Sequence, residues 1–296
     1  MRLPIPAALP LALDAFGSLG EHKKCESITW KVNTLSPLRL RGLPVTPARI
    51  LRSLRRRLLE RLDPVNSFRG VYESFADAER AAPPVKPLGY DSADSATWYL
   101  NKHEKVLLED YPVLFWLRSA FDDSHSVFEI GGHVGVAYYG FAQVLPYPPD
   151  LNWTICDVPT IVAAGEALAR DRGRTNLRFV TSPAQAEGAD IVLACGALQY
   201  VDSPGLAETI ASFRVQPRHV LVNTTPLYDG AAFITLQNIG SAYCPYRVFN
   251  RREFVRSLEV IGYSLVDTWQ KERAFRIPRH PDRSFDHYSG FYFRSK

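Results

Sequence analysis

The residue types and spacings best able to do chemistry in this chain gather beyond residue 126. In VFEIGGHVGVAYYG an apolar run ends in Glu129, turns through Gly131 and Gly132, and enters a helix near Gly135. Glycines there let the backbone approach a ligand closely, and a helix start offers N–H groups to it. Asp157 closes the run NWTICD, 22 residues after Gly135. A Rossmann-like fold sets a carboxylate at that place to accept both hydroxyls of a ribose. The role suits an ionised carboxyl group, which only accepts hydrogen bonds. Asp157 could also cap the helix opened by Pro159, and the two roles are compatible. A further apolar run, ADIVLACG, opens into Ala197, Gln199 and Tyr200. Ligands of open α/β sheets lie beyond the carboxyl ends of the strands, so Cys195 to Tyr200 should border the ligand's reactive end. A dinucleotide fingerprint needs a second glycine two residues after Gly131, and His133 stands there instead.

The elements that must position these groups can be read from periodicity. From residue 126 onward short apolar runs alternate with helical stretches: SVFEIGG, NWTICDV, LRFVTS, ADIVLACG, RHVLVNTT, SLVDTW and SGFYFR. Alternating strands and helices predict a mostly parallel sheet covered on both faces. Helix ends are marked by Ser203 with Pro204, by Asn250 with Glu253, and by Pro159 with Gly173. Residues 65–121 read as a helical cap, with two helices broken near Pro112 and with Tyr72, Tyr90, Trp98 and Tyr99 either as pocket walls or as aromatics packed against the sheet. Residues 122–296 read as the Rossmann-like core, and residues 1–64 as an extension. In that extension RILRSLRRRLLERL forms a basic amphipathic helix, with Leu51, Leu54, Leu58 and Leu62 on one side and arginines on much of the rest. It suits packing on the main domain better than docking on a membrane, and without interleaved aromatics it does not suit nucleic acid.

The net charge is +4 and 46% of the 296 residues are hydrophobic. That composition fits one soluble domain with an extension, and no apolar run reaches the roughly 20 residues of a membrane span. The opening residues faintly resemble a signal peptide, but prolines and Asp14 interrupt them. The four cysteines, Cys25, Cys156, Cys195 and Cys244, form no CxxC pair. Neither a metal site nor a disulfide framework is indicated, and a reducing cytoplasm is expected. Cys195 reads as a small packing residue.

The chain resembles a bacterial family of class I S-adenosylmethionine-dependent methyltransferases, often associated with surface-polysaccharide gene clusters. The resemblance rests on FRGVYESFADAERA, LGYD, VFEIGGHVG, WTICDVPTIVAAG, LACGALQYVDSP, NTTPLYDGAAFITLQNIG and CPYRVFNRREFVRSLEVIGYSLVDTW, in that order over about residues 65–270. It implies a seven-stranded methyltransferase sheet with its last strand antiparallel. It also implies S-adenosylmethionine held at Glu129, Gly131, Gly132 and Gly135, at Asp157 and Val158, at Ser182, and at Cys195, Gly196 and Ala197, with S-adenosylhomocysteine as product. Two features depart from the pattern. His133 replaces a loop glycine, and the third strand ends in Thr181, Ser182 and Pro183 where many methyltransferases direct an acidic residue at adenine.

Methyl transfer to a hydroxyl requires alignment and removal of a proton. Candidate bases after strand ends are His133, Tyr228 and Asp229; His133 also fits a purely loop-shaping role. Tyr138, Tyr139, Gln199, Tyr200, Gln237 and Asn238 are candidate acceptor contacts. These are polar or flat side chains without a cluster of cations, which fits a small neutral acceptor, a sugar hydroxyl or an aromatic ring. A homodimer is compatible with the sequence. The competing readings are a nicotinamide-dependent oxidoreductase and a non-catalytic scaffold; retention of both Glu129 and Asp157 weighs against the second.

Overall fold

The computed structural model describes residues 64–99 and 105–296. The basic helix expected at 49–62, with the rest of the extension up to residue 63, and the side chains of Trp98 and Tyr99 lie outside the described residues. In chain order come strand β1 (Phe68–Tyr72), helices α1 (Phe75–Ala81), α2 (Ala93–Tyr99) and α3 (Tyr111–Ala120), then β2 (Ser126–Ile130), α4 (Val136–Phe141), β3 (Asn152–Cys156), α5 (Pro159–Asp171), β4 (Leu177–Val180) and β5 (Ile191–Cys195). They are followed by α6 (Leu206–Ala211), β6 (His219–Thr225), β7 (Leu227–Tyr228), β8 (Phe233–Asn238), β9 (Tyr243–Asn250), α7 (Arg251–Val260), β10 (Tyr263–Phe275) and β11 (Phe285–Ser295).

Seven strands form one sheet in the order β10-β11-β6-β5-β2-β3-β4. Strand β11 runs antiparallel to both of its neighbours, and the pairs from β6 to β4 are parallel. This is the methyltransferase variant of the Rossmann-like fold, with its last strand reversed. Its central strands are buried on both faces, which is why they read as continuous apolar runs. Val127, Trp153, Ile155, Ile191 and Leu193 point to one face, under α3, α4 and α5. Phe128, Ile130, Val192, Ala194, Val220 and Val222 point to the other, under Ile210 of α6 and Phe254 and Leu258 of α7. Among the described residues, no helix is long and apolar enough to cross a membrane.

Three expectations are corrected. Helix α3 begins at the expected break near Pro112, which lies in its first turn, where a missing N–H costs no hydrogen bond, and residues 105–107 before it are not helical. It buries Val113, Leu114, Leu117 and Ala120 in the main core, so it covers the sheet and does not belong to a cap. Helix α6 begins two residues later than Ser203 and Pro204 suggest, with Gly205 at its cap and its N–H donated to Glu208.

The third correction is the largest. Residues 64–99 are not simply helical: β1 pairs antiparallel with β8, and the order β1-β8-β9-β7 makes a second, four-stranded sheet. Helix α1 packs Phe75 and Ala78 on Ile234, Leu236 and Tyr243 of this sheet. Because β7, β8 and β9 are inserted between the carboxyl end of β6 and the start of α7, the small sheet stands at the carboxyl edge of the large one.

Candidate functional site

The turn after β2 is shaped by steric exclusion. Gly131 has φ +69°, and a Cβ there would overlap the Cβ of Ala197; one on Gly132 would overlap the Glu129 carboxylate. Only glycine lets the backbone lie so close to both β5 and β2. His133 follows at φ +55°, a left-handed conformation that glycine takes without cost. Its N–H donates to Asp157 Oδ2 at 2.9 Å, and the N–H of Val158 donates to Oδ1 at 2.8 Å. Asp157 is thus oriented by two backbone donors, one on each oxygen. Each oxygen keeps an accepting position for a ligand. Burial raises the Asp157 pKa despite these bonds.

Glu129 is 1% exposed and accepts from Trp153 Nε1 at 2.9 Å. Burial, joined by the charges of Asp157 and Asp110, pushes its pKa up to about 8 against that hydrogen bond. The Cys195 thiol is likewise held well above its usual range by burial and by Glu129 and Asp110, which suits packing rather than nucleophilic attack. Gly196 has φ +71° and donates its N–H to Asn223 O at 2.9 Å, tying the end of β5 to β6. Ser182 lies partly buried at the start of the short 3-10 turn after β4.

The candidate bases separate. His133 is 5% exposed, and because a carbonyl can only accept, its Nε2 donates to Ser95 O at 3.0 Å. Burial lowers its pKa to about 4, so the ring is neutral near pH 7. Tyr228 donates to Ala231 O at 2.6 Å, accepts from Arg283 at 2.6 Å and packs with Phe233 and Phe285. The Asp229 side chain is 89% exposed and 3.4 Å from Arg251. No hydrogen bond joins either of these two to the glycine turn.

The candidate acceptor contacts separate as well. Tyr138 and Tyr139 point into the main core: Tyr138 donates to Asn176 at 2.8 Å, and Tyr139 stacks beneath Arg172 at 4.6 Å. They follow the glycine turn in sequence, but the helical repeat turns them away from the sheet's carboxyl edge. Gln237 and Asn238 are buried in the small sheet. Gln237 accepts from Tyr200 at 2.6 Å and donates to Asn66 at 3.2 Å; Asn238 accepts from Lys86 at 2.8 Å. Lys86 and Arg69 also lie over the Tyr243 ring, so this region is less free of cations than the sequence suggests. Tyr72 folds back over Gly70.

What the structure does bring to the turn is Tyr90. Its ring is 6.0 Å from His133 and 6.1 Å from Tyr200, and it packs on the Val134 and Ile161 cluster on one side and on the Ile239, Ala242 and Cys244 cluster on the other. Nearby, Asp91 accepts from the N–H of Thr160 at the start of α5 at 2.9 Å. Sequence reasoning missed Asp110, which stands immediately before α3. A signal existed: a helix leading into the first parallel strand must run opposite to it, so its amino end lies at the carboxyl edge of the sheet.

No protein-family model matches the chain, and no curated protein matches it. Among solved structures it is similar to the N-terminal domain of EvdMO1 with S-adenosylhomocysteine bound, at 14% identity over 64% of this chain and 83% of that one, with a TM-score of 0.42. The magnesium protoporphyrin IX methyltransferase of Synechocystis PCC 6803 with bound S-adenosylmethionine gives 15% identity over 62% and 77%, with a TM-score of 0.43. The Burkholderia thailandensis 1,6-didemethyltoxoflavin-N1-methyltransferase, bound to 1,6-didemethyltoxoflavin and S-adenosylhomocysteine, gives 16% identity over 87% and 93%, with a TM-score of 0.44. The fold assignment rests on the strand order and not on these likenesses.

Proposed function

We propose that the chain is an S-adenosylmethionine-dependent methyltransferase acting on a small neutral acceptor. The observation that carries this reading is Asp157, fixed by the His133 and Val158 N–H groups with an accepting position left on each oxygen. It stands beside a turn that Gly131 and Gly132 keep open, at the carboxyl edge of a sheet whose last strand is reversed. Against a nicotinamide oxidoreductase stand His133 at the glycine position that a pyrophosphate needs and that reversed strand. The cofactor supplies an electrophilic methyl group when bound.

The chain's own residues would do the rest. Asp157 and the glycine turn would hold the nucleoside, with Val158 and Ser182 beside it and Cys195, Gly196 and Ala197 lining the far side. Tyr90 and Tyr200 would form a flat wall between the turn and the small sheet, exclude water and orient the acceptor. Tyr200 is held by Gln237, so its ring is preset. His133 fits holding the turn through Ser95 better than removing a proton, because a group with a pKa of about 4 is a weak base near neutrality. Tyr228 and Asp229 remain bases only for an acceptor that reaches across the small sheet. A sugar hydroxyl or an aromatic ring system suits the tyrosine wall, and a cytoplasmic location belongs to the same reading.

Thermal shift with S-adenosylhomocysteine and with NAD tests the cofactor assignment. At 100 times its dissociation constant the true ligand stabilises by about 2.7 kcal/mol. A shift with NAD alone would overturn the assignment.

A further inference from the structure

The corner where β5 and β6 end holds acceptors in excess of donors. Asp110 Oδ1 accepts from Asn223 Nδ2 at 3.1 Å, and Oδ2 accepts from the N–H of Leu107 at 2.9 Å. Asn223 is 1% exposed, and its own oxygen is taken by Trp269 Nε1 at 3.0 Å and by the N–H of Thr224 at 2.9 Å. With the oxygen spent, the amide must aim its NH2 at Asp110. The aspartate is therefore a placed group and not a solvated surface charge.

The same corner contains Gln199, which is 4% exposed and belongs to the turn after β5. Its Nε2 donates to Gly196 O at 2.6 Å, while its Oε1 is buried without a partner. A buried carbonyl oxygen without a partner is costly, so this oxygen is placed to accept from a ligand. Gln199 and Asp110 are joined by three successive hydrogen bonds, through Gly196 and Asn223. Asp110 lies close enough to raise the pKa of Glu129, and the carboxyls of both are shifted upward chiefly by burial. Among the described residues no cation pairs with Asp110. Lys271 acts on it at longer range while pairing with the neighbouring Glu109.

Two placed acceptors, a buried acid that feels the charge of Asp110 and, among the described residues, no cation paired with Asp110 fit a ligand group that is positive and carries several N–H donors. A primary ammonium has three donors and no acceptor. Resting on the cofactor reading above, we propose that Asp110 receives the α-ammonium of the bound S-adenosylmethionine, with the Gln199 carbonyl oxygen as its second acceptor. The geometry agrees: a ribose on Asp157 sits at the end of β3, and the amino-acid part must then run across β2 toward β5 and β6.

Calorimetric titration of the full chain with S-adenosylhomocysteine and with its deaminated analogue tests this. Asp110→Asn keeps the shape and removes the charge, and should weaken S-adenosylhomocysteine about 10- to 100-fold, the worth of a charge-assisted pair. The deaminated analogue should bind the wild type and Asp110→Asn equally. An unchanged affinity for S-adenosylhomocysteine in the variant overturns the inference, as does an equal loss for both compounds. If the variant does not fold, the wild type decides: it must prefer the amine-bearing compound tenfold or more, and equal affinities overturn the proposal. A wild type that binds neither compound overturns the cofactor reading itself, and this inference with it.

Discussion

The two halves of the carboxyl edge are built by different means. The turn half, Glu129 to Val158, is held by backbone: glycine geometry, the N–H groups of His133 and Val158, and parallel strands paired in register. The small-sheet half also has paired strands, but its lining is fixed by side chains from distant segments, such as Gln237 on Asn66 and Thr235 on the carbonyl of Gly70. A backbone-built site tolerates changes in the surrounding side chains. A side-chain-built wall depends on each contact, so ligand affinity and fold stability should fail in different places.

The largest expected effect is in the small sheet. Leu236 is fully buried between Phe75, Ala78 and Tyr243, so Leu236→Ala should cost about 2–5 kcal/mol in denaturant unfolding. S-adenosylhomocysteine affinity should stay within about twofold, a ratio well below 1.4 kcal/mol. Parallel losses of stability and affinity would show that the halves are one unit.

Next comes Asp157→Ala, expected to weaken S-adenosylhomocysteine by about 1.5–3 kcal/mol, the range for hydrogen bonds to a charged group. An unchanged dissociation constant would remove Asp157 from the site.

His133→Ala should cost about 1–2 kcal/mol in stability, because alanine also resists φ +55° and the bond to Ser95 is lost. Cofactor affinity should fall while turnover at saturating cofactor persists. A roughly 100-fold drop in turnover with affinity intact would instead make His133 the base.

The remaining effect is a pH dependence. Glu129 titrates at about 8 in the fold against an ordinary 4.5, so the folded state binds more protons between those values. Stability from this group is fully present below pH 4.5 and is lost as pH rises through 8. Glu129→Gln should flatten that decline in a series of melting temperatures. His133 acts oppositely: with a folded pKa of about 4 against 6.5, its contribution is lost as pH falls through that window. An unaltered slope in Glu129→Gln would show that Glu129 is ionised at neutral pH.

Much of the large sheet was legible in the sequence. Its central strands, β2, β3, β5 and β6, are short apolar runs that stand out whatever their neighbours, whereas β10 at the edge is long and largely exposed. Caps written in adjacent residues were legible too: Asn250 accepts from the N–H of Glu253 at 2.8 Å. The pairing of Asp157 with the turn follows from the fixed path of a strand–helix–strand unit.

Tertiary structure alone decided the rest. FITLQN and CPYRVFN pair with each other, but they become part of a four-stranded sheet only because β1, some 165 residues earlier at Arg69↔Leu236 and neighbouring pairs, adds to β8. Nothing in a local window records a partner so far away. The same holds for Tyr138 and Tyr139, whose place after the glycine turn suggested ligand contact until the helix of α4 turned both rings into the core. Asp110 shows the converse, because its partner Asn223, and Trp269 that orients Asn223, lie more than a hundred residues on. The sequence by itself determined which chain segments become the parallel sheet and where its turn must open, since local periodicity and glycine sterics suffice for that. Which side chains meet over that turn was settled by the return of distant segments, because a hydrogen bond between side chains needs both partners in place and local sequence specifies only one.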